Sequence, residues 1–298
     1  MGMKNVGGQA VIEGVMMKSP CAWTVAVRNP QGEIVVKREE LNEGPGFLKS
    51  PVIRGVVGLV QAMTLGIKAL GYSAEISMAE EDDEKPSDIS RFFTVSLSII
   101  LAMGLFFVLP LYMTKLLGLV FNVVQDSSLV FNVIDGIVRI GVFVVYIFAI
   151  SLLKDIRRVF EYHGAEHKVI HAYESDVELT PDNVQKFSTL HPRCGTSFLL
   201  IVMVMSMFVF SFIPNEWLFV DKLLSRFFLI PLIAALSYEF IRFSANYSRN
   251  PVVKSMIVPG LLLQKITTRP PSDEQIEVAI RALKDSLDTG KTGVSCVA

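Results

Sequence analysis

Residues 133–153 read VIDGIVRIGVFVVYIFAISLL, a run whose only charged members are Asp135 and Arg139. Roughly 20 apolar residues form a helix long enough to cross a lipid bilayer. In lipid, each backbone polar group must find its hydrogen bond within the helix itself. The run therefore predicts a transmembrane helix, in which Asp135 and Arg139 pair across one turn.

Three more segments, on either side of this run, have the composition of membrane spans. They lie at residues 92–117, 196–213 and 223–243, and the second is the shortest. We expect Pro110 and Pro231 to kink their helices, because proline lacks a backbone N–H donor. The composition agrees: 51% of the 298 residues are apolar, 19% are charged and the mean hydropathy is +0.46, whereas soluble domains carry about 25% charged residues.

The distribution of Lys and Arg predicts the orientation of the four spans. The connection at 118–132 contains neither residue, whereas the connection at 154–195 contains six and the tail after the fourth span adds more. Because cytoplasmic loops are enriched in Lys and Arg, we expect the 154–195 loop and both termini to be cytoplasmic. The net charge of −1 argues against a nucleic-acid partner. The three cysteines are far apart and odd in number, which fits a reducing compartment.

The first 90 residues differ in character from the spans. Ala22–Arg28 and Glu33–Glu39 flank the turn sequence NPQG at 29–32, which predicts a β-hairpin. Residues 52–79 predict a long helix with a polar residue every seven positions and small residues every four, a pattern suited to close helix packing. Such a helix can lie at the membrane interface, pack on the bundle or form a fifth span, and the sequence leaves these placements open.

Together these segments predict a predominantly α-helical polytopic membrane protein. Its fold would be a four-helix transmembrane bundle with a cytoplasmic α+β portion that contains the N-terminal β-hairpin. The predicted regions are 1–90 (cytoplasmic hairpin and long helix), 91–153 (spans one and two), 154–195 (cytoplasmic histidine loop), 196–245 (spans three and four) and 246–298 (cytoplasmic tail with a final helix at 273–287, capped by Ser272).

All four histidines of the chain lie in the loop between spans two and three. They are His163, His167, His171 and His191. The first three are four residues apart, so on a helix they share one face. Because two imidazoles one turn apart can bind a single Zn²⁺, the clustering predicts a metal site with Zn²⁺ as the expected ion.

The sequence His163-Gly-Ala-Glu-His167 matches the H-x-x-E-H pattern of inverted zincins. In that pattern both histidines bind zinc and the glutamate, here Glu166, acts as general base toward water. The main candidates for further ligands are His191 and Cys194. Other candidates are His171, Glu174 and Glu13. A fourth protein ligand would make the site closed and structural, so catalytic and structural metal binding both stay open.

Two carboxylates outside the loop are also candidates. Glu13 lies in the sequence GGQAVIEGVMM at 7–17, whose glycines allow the backbone to approach a ligand or a neighbouring helix, or form an ordinary turn. Glu239 lies near the cytoplasmic end of the fourth span. An intramembrane carboxylate is a functional candidate unless it pairs with a neighbour such as Arg242.

Four separated motifs resemble those of the YqhQ-like family, bacterial membrane proteins of unknown function. The motifs are GGQAVIEGVMM at 7–17, YHGAEHK at 162–168, HPRCGTS at 191–197 and PGLLLQKITT at 259–268. The resemblance spans nearly the whole chain, with one departure: Pro270-Pro271 follows Arg269 where the family pattern has Glu-Pro. It implies a bacterial inner-membrane protein and a metal-dependent enzyme whose substrate is not known.

Two classes of function remain. One is a zinc-dependent hydrolase at the cytoplasmic face, acting on membrane-proximal chains. The other is a non-catalytic accessory or scaffold factor that binds another membrane protein complex through a platform stiffened by the metal. In both, the lipid bilayer surrounds the spans. The number of protein ligands on the metal distinguishes the two, because an open position favours the enzyme.

Overall fold

The computed structural model describes residues 6–20, 22–41, 50, 53–78, 88–192, 194–214, 216–246 and 251–288. Cys21, Cys296 and the acidic run at 80–84 lie outside the described residues. The strands are β1 (Gly7–Val11), β2 (Gly14–Lys18), β3 (Ala22–Arg28) and β4 (Ile34–Glu40). The helices are α1 (Ile53–Ser77), α2 (Asp88–Met103), a π-helical turn (Gly104–Val108), α3 (Leu109–Val120), α4 (Asn122–Asp126), α5 (Ser128–Ile150), α6 (Lys154–Glu174), α7 (Pro181–Val184), α8 (Gly195–Phe210), α9 (Phe219–Phe228), α10 (Ile230–Asn246), α11 (Pro251–Thr267) and α12 (Asp273–Leu287).

The four strands form one antiparallel sheet in the order β1-β2-β3-β4. Its second hairpin, β3–β4, confirms the predicted one. The first hairpin, β1–β2, is formed by the glycine-rich motif at 7–17, which the sequence presented only as a turn or a ligand contact. Its turn places Glu13 at a φ of 50°, and a Cβ at Gly14 would meet the backbone of Ala26 in β3. Glycine at this position therefore lets the two hairpins pair closely.

Helices cover both faces of the sheet, so β3 is buried along most of its length. Successive side chains of a strand point to opposite faces. On one face, Val15 and Met17 pack against α6 and α12. On the other face, Trp23 and Val25 pack against Ala69 of α1. We call residues 6–41, 154–192 and 273–288, which contain β1–β4, α6, α7 and α12, the sheet module.

Three helical segments of the described residues are long and apolar enough to cross a membrane: Arg54–Ser77, Phe92–Val120 and Ser128–Ile150. The second and third correspond to the first two predicted spans and indicate a membrane protein. In the first of these, the π-helical turn at Gly104–Val108 directly precedes the helix turn that contains Pro110, as expected where proline removes a backbone donor.

The other two predicted spans differ in the structure. The third is α8, a helix of 16 residues and shorter than a full span. The fourth, predicted as one helix at 223–243, is wrong as a continuous element, because α9 ends at Phe228 and α10 begins at Ile230. Pro231 explains the break, since it has no N–H to continue the hydrogen bonds of α9. The described residues therefore confirm a mostly helical membrane protein but not exactly four transmembrane helices.

Helix α1 connects the sheet module to the apolar helices. Its C-terminal half packs on the sheet through Leu65 and Ala69. Near its N-terminus, Gly55 lies so close to α10 that a Cβ there would be 3.0 Å from the Cα of Ala235. Packing on α10 agrees with one of the three placements that the sequence left open. By length and composition α1 also qualifies as a span.

Candidate metal centre

Helix α6 carries three of the four histidines into the sheet module. Tyr162 and Val169 on its apolar side are fully buried in the core. At Gly164 a side chain would meet the carbonyl oxygen of Arg269, and the N–H of Arg269 donates to the carbonyl of Phe160 at 2.9 Å. The segment between α11 and α12 therefore lies directly against α6, beside the histidines.

His163, His167 and Cys194 form a compact group whose potential ligand atoms lie within 4.8 Å of one another. The Nε2 of His163 lies 3.2 Å from the Sγ of Cys194. The Nδ1 of His163 lies 2.8 Å from the carbonyl oxygen of Thr267. The Nδ1 of His167 contacts the carbonyl oxygen of Thr189. A carbonyl oxygen only accepts hydrogen bonds, so each Nδ1 carries a proton, and in the neutral ring Nε2 then presents a lone pair. Metal-binding histidines are commonly oriented in this way.

The Nε2 of His167 is buried and has no hydrogen-bond partner. Leaving a buried polar atom unpaired costs about 1–3 kcal/mol, and a metal ion shared with His163 and Cys194 would compensate this cost. Two imidazoles and a thiolate are donors that Zn²⁺ prefers, so the residues fit this ion. Within the described part of the chain, no further His, Cys, Asp or Glu joins the group.

A second group lies next to the first and contains His171, Glu174 and His191. The Nε2 of His191 lies 3.4 Å from the Oε2 of Glu174. The sequence predicted His191 as a ligand beside His163 and His167. The structure instead places its ring between those of His167 and His171, with centroid distances of 5.7 and 4.5 Å. Burial, aided by His171 and His167, lowers the pKa of His191 to about 3, so its ring is neutral.

Glu166 is buried on α6 beside the first group, facing β1. The N–H of Gly8 donates to its carboxylate, and a Cβ at Gly8 would lie 2.9 Å from the Cγ of Glu166. Burial raises the pKa of Glu166 to about 7, although His163 and the Gly8 hydrogen bond favour the ionised form. A carboxyl group with a pKa near neutrality can hold or accept a proton at physiological pH. The role of Glu166 as general base stays a prediction.

The two carboxylates predicted outside the loop have partners outside both groups. Glu13 pairs with Arg158 of α6, with 2.7 Å between Oε2 and Nη2, and so fastens the β1–β2 turn to α6. Glu239 accepts two hydrogen bonds from Arg54 of α1, at 2.7 and 2.6 Å. The sequence analysis named Arg242 as the possible partner of Glu239. Both pairs join elements of the fold.

Three residues that shape the site were missed in the sequence. Thr189 and Thr267 contribute only their backbone carbonyls, which every residue has, so their identity gives no signal. Gln264 exchanges two hydrogen bonds of 2.8 Å with the backbone of His191. Gln264 and Thr267 both lie in the motif at 259–268, and that motif was the available signal for this part of the site.

Comparison with known proteins confirms the resemblance carried by the four motifs. Residues 50–289 match a family described as "Protein of unknown function (DUF1385)". A protein of Bacillus subtilis (strain 168), named "Uncharacterized protein YqhQ", is 32% identical over 296 residues, which cover 94% of this chain and 92% of that protein. No solved structure matches the chain.

Proposed function

We propose that this chain, which belongs to the DUF1385 family of unknown function, is a multi-pass membrane protein with a zinc-dependent hydrolase site. The observation that carries the proposal is the group of His163, His167 and Cys194, in which a buried ring nitrogen of His167 lacks a hydrogen-bond partner. Each histidine of this group is already oriented through its other nitrogen by a backbone carbonyl.

The ligand set supports an open site. His163 and His167 would bind the ion through Nε2, and Cys194 would bind it through Sγ. Zinc in such a site supplies Lewis acidity, which polarises a carbonyl or phosphoryl group and lowers the pKa of water. Structural zinc sites have four protein ligands, whereas catalytic sites commonly have three. The three ligands among the described residues therefore favour the hydrolase over a structural metal.

Glu166 is the residue that we assign to proton transfer. It directly precedes His167 on α6, so its side chain points about 100° away from that of His167 around the helix. The N–H of Gly8 holds the carboxylate in place. In this role Glu166 accepts a proton from water at its carboxylate and later returns it to the leaving group.

The place of the group in the fold supports a membrane-proximal substrate. Cys194 directly precedes α8, an apolar helix, and the backbone N–H of Thr196 in its first turn donates to the Sγ. His163 and His167 belong to the sheet module. A substrate that reaches the group does so where the module meets the apolar helices. We propose a polypeptide segment next to the membrane as the substrate, on the cytoplasmic side that the Lys and Arg distribution favours.

A surface on α1 favours a second candidate function. Val60, Met63 and Ile67 are each more than half exposed, and a row of exposed apolar side chains is typical of a protein–protein or membrane contact. In this alternative the protein is an accessory factor of a membrane complex, and the metal only stiffens the platform. Both candidate functions include the metal group, but only the hydrolase requires proton transfer by Glu166. Removing that proton transfer therefore distinguishes the two functions.

The substitution Glu166→Gln tests the hydrolase. Glutamine keeps the volume of the side chain and removes the base, so the variant should bind zinc as the wild type does. In a strain that lacks the gene, it should leave uncleaved membrane polypeptides that the wild-type protein removes, as measured by mass spectrometry of peptide termini. The rate loss on an identified substrate should be on the order of 10²–10⁴.

The matched control is Glu178→Gln, which makes the same change at an exposed position of the sheet module. This variant should behave as the wild type in both measurements. If Glu166→Gln retains zinc and removes the uncleaved membrane polypeptides as fully as the wild type does, the hydrolase is wrong and the accessory role is the better account.

A further inference from the structure

A second polar cluster lies among the apolar helices, at the end of α5 opposite the sheet module. Asp135 accepts hydrogen bonds from Arg139 at 2.7 Å and from Arg226 of α9 at 2.8 Å. Arg226 also donates to the Oδ1 of Asn132 at 3.1 Å. All four side chains are buried. The predicted pair of Asp135 and Arg139 is thus confirmed as part of a larger cluster.

The charges of this cluster are unbalanced. One carboxylate faces two guanidinium groups. Lys222, one turn before Arg226, is only 8% exposed, and its ammonium group is balanced in part by Glu216. The aromatic ring of Phe210 contacts both guanidinium groups, but an aromatic ring carries no net charge. The Nε of Arg226 is buried without a hydrogen-bond partner. Excess positive charge among apolar helices is costly, so the cluster favours a nearby anion.

A cavity of about 250 Å³ lies beside the cluster. Its lining includes the polar side chains of Lys115, Lys222 and Gln125 and the aromatic side chains of Trp217 and Phe131. The Nζ of Lys222 lies 4.2 Å from the centre of the Phe131 ring, and Phe131 directly precedes Asn132 of the cluster. The cavity is smaller than the roughly 300–1,000 Å³ typical of sites for drug-sized ligands. Two ammonium groups and an amide suit a phosphate group better than a neutral ligand.

We propose that this cavity binds the phosphate group of an anionic phospholipid through Lys115 and Lys222. The position in the fold supports a lipid as the source. Helix α5 has 23 residues, which span about 35 Å, and the cavity lies at its first residues, far from α6. This distance is close to the thickness of a bilayer. Trp217 at the rim is typical of the membrane–water interface. A free phosphate ion has the same chemistry and is the other source.

Native mass spectrometry of the full-length protein in detergent tests the proposal. The probes are dioctanoyl-phosphatidylglycerol, dioctanoylglycerol, which lacks the phosphate, and inorganic phosphate. The phosphatidylglycerol should bind, and the dioctanoylglycerol should bind more weakly. Lys115→Gln and Lys222→Gln should each weaken the binding of phosphatidylglycerol by about 10- to 100-fold, the range expected for one charge-assisted hydrogen bond.

The control is Lys284→Gln, an equal loss of charge at an exposed position of α12, which should leave binding unchanged. Competition by inorganic phosphate would support the phosphate site and identify the free ion as a second occupant. Lys115 is exposed, so its variant should fold even if Lys222→Gln does not. Equal binding of the two lipids, or wild-type binding by Lys115→Gln, would overturn the proposal.

Discussion

Among single residues, His163 and His167 can bind a metal ion only through the ring nitrogen that no backbone carbonyl already engages. Thr267 and Thr189 occupy the Nδ1 atoms of His163 and His167, which turns both Nε2 atoms toward Cys194. A ring held in this way loses little conformational entropy when it binds a metal ion. The site is therefore organised before any ion binds.

The first prediction follows from this arrangement. His163→Ala and His167→Ala each remove one of three ligands, so each should lower zinc affinity by more than the roughly 10- to 100-fold that the loss of an outer partner costs. Zinc analysis of the purified variants measures this. Lys186→Ala, an exposed change in the same module, should keep full zinc content. Wild-type zinc content in both histidine variants would refute the site.

The sequence predicted one group of His163, His167, His191 and Cys194, whereas the structure has two groups, with His191 in the second. The spacing of His163 and His167 was sufficient, because both lie on one helix. The position of His191 depends on how the chain returns from the end of α6 to α8 and on its two hydrogen bonds with Gln264, 73 residues away. Such long-range contacts have no signature in local spacing, so the spacing of the histidines does not indicate that His191 lies beside His171 and Glu174.

At the scale of elements, the contact of α6 with the segment after α11 sets the position of the site. This contact depends on Gly164, where any Cβ would meet the carbonyl of Arg269. Gly164→Ala should therefore lower the free energy of unfolding by about 1–3 kcal/mol through overpacking, although alanine has the higher helix propensity. Denaturant unfolding of the purified protein measures the change.

Gly71→Ala provides the matched control for this prediction. Gly71 is also helical, but an added Cβ there has no heavy atom within 4 Å. The change should be neutral or stabilising by up to about 1 kcal/mol. If Gly164→Ala were as harmless as Gly71→Ala, the close contact between α6 and Arg269 would be wrong.

The elements were predicted best where local rules decide them. The β3–β4 hairpin follows from its turn sequence, and α12 begins at the capping box of Ser272 and Gln275. The β1–β2 hairpin was missed because its turn requires Glu13 at positive φ, which that residue type rarely adopts. The break between α9 and α10 was expected only as a kink, since hydropathy does not register the hydrogen bond lost at Pro231.

At the scale of the whole molecule, the sheet module and the phosphate cavity lie at opposite ends of α5. If α5 crosses the membrane, the two ends face different compartments, and the Lys and Arg distribution predicts that the sheet module faces the cytoplasm. A membrane-impermeant thiol reagent applied to intact cells should label Asp126→Cys and not Asp182→Cys. The unmodified protein supplies the background. Labelling of Asp182→Cys alone would show that the orientation is opposite to the predicted one.

The membrane character of the whole molecule was predictable, because it depends on composition and run length. The sheet module was not, because it is built from residues 6–41, 154–192 and 273–288, which are far apart in the chain. Its core forms when Val15 of β2, Val169 of α6 and Ile276 of α12 meet. No local pattern in any of these segments indicates the others.

We propose that His163, His167 and Cys194 bind one metal ion together, and cobalt substitution tests this shared coordination. The metal-free protein loaded with Co²⁺ should show a thiolate-to-cobalt charge-transfer band together with the intense visible absorption of a four-coordinate ion. Cys194→Ser should abolish the charge-transfer band, whereas His171→Ala, which changes only the second group, should retain it. The shared metal site would be contradicted if the wild-type Co²⁺ spectrum lacked the thiolate band. It would also be contradicted if Cys194→Ser retained that band unchanged.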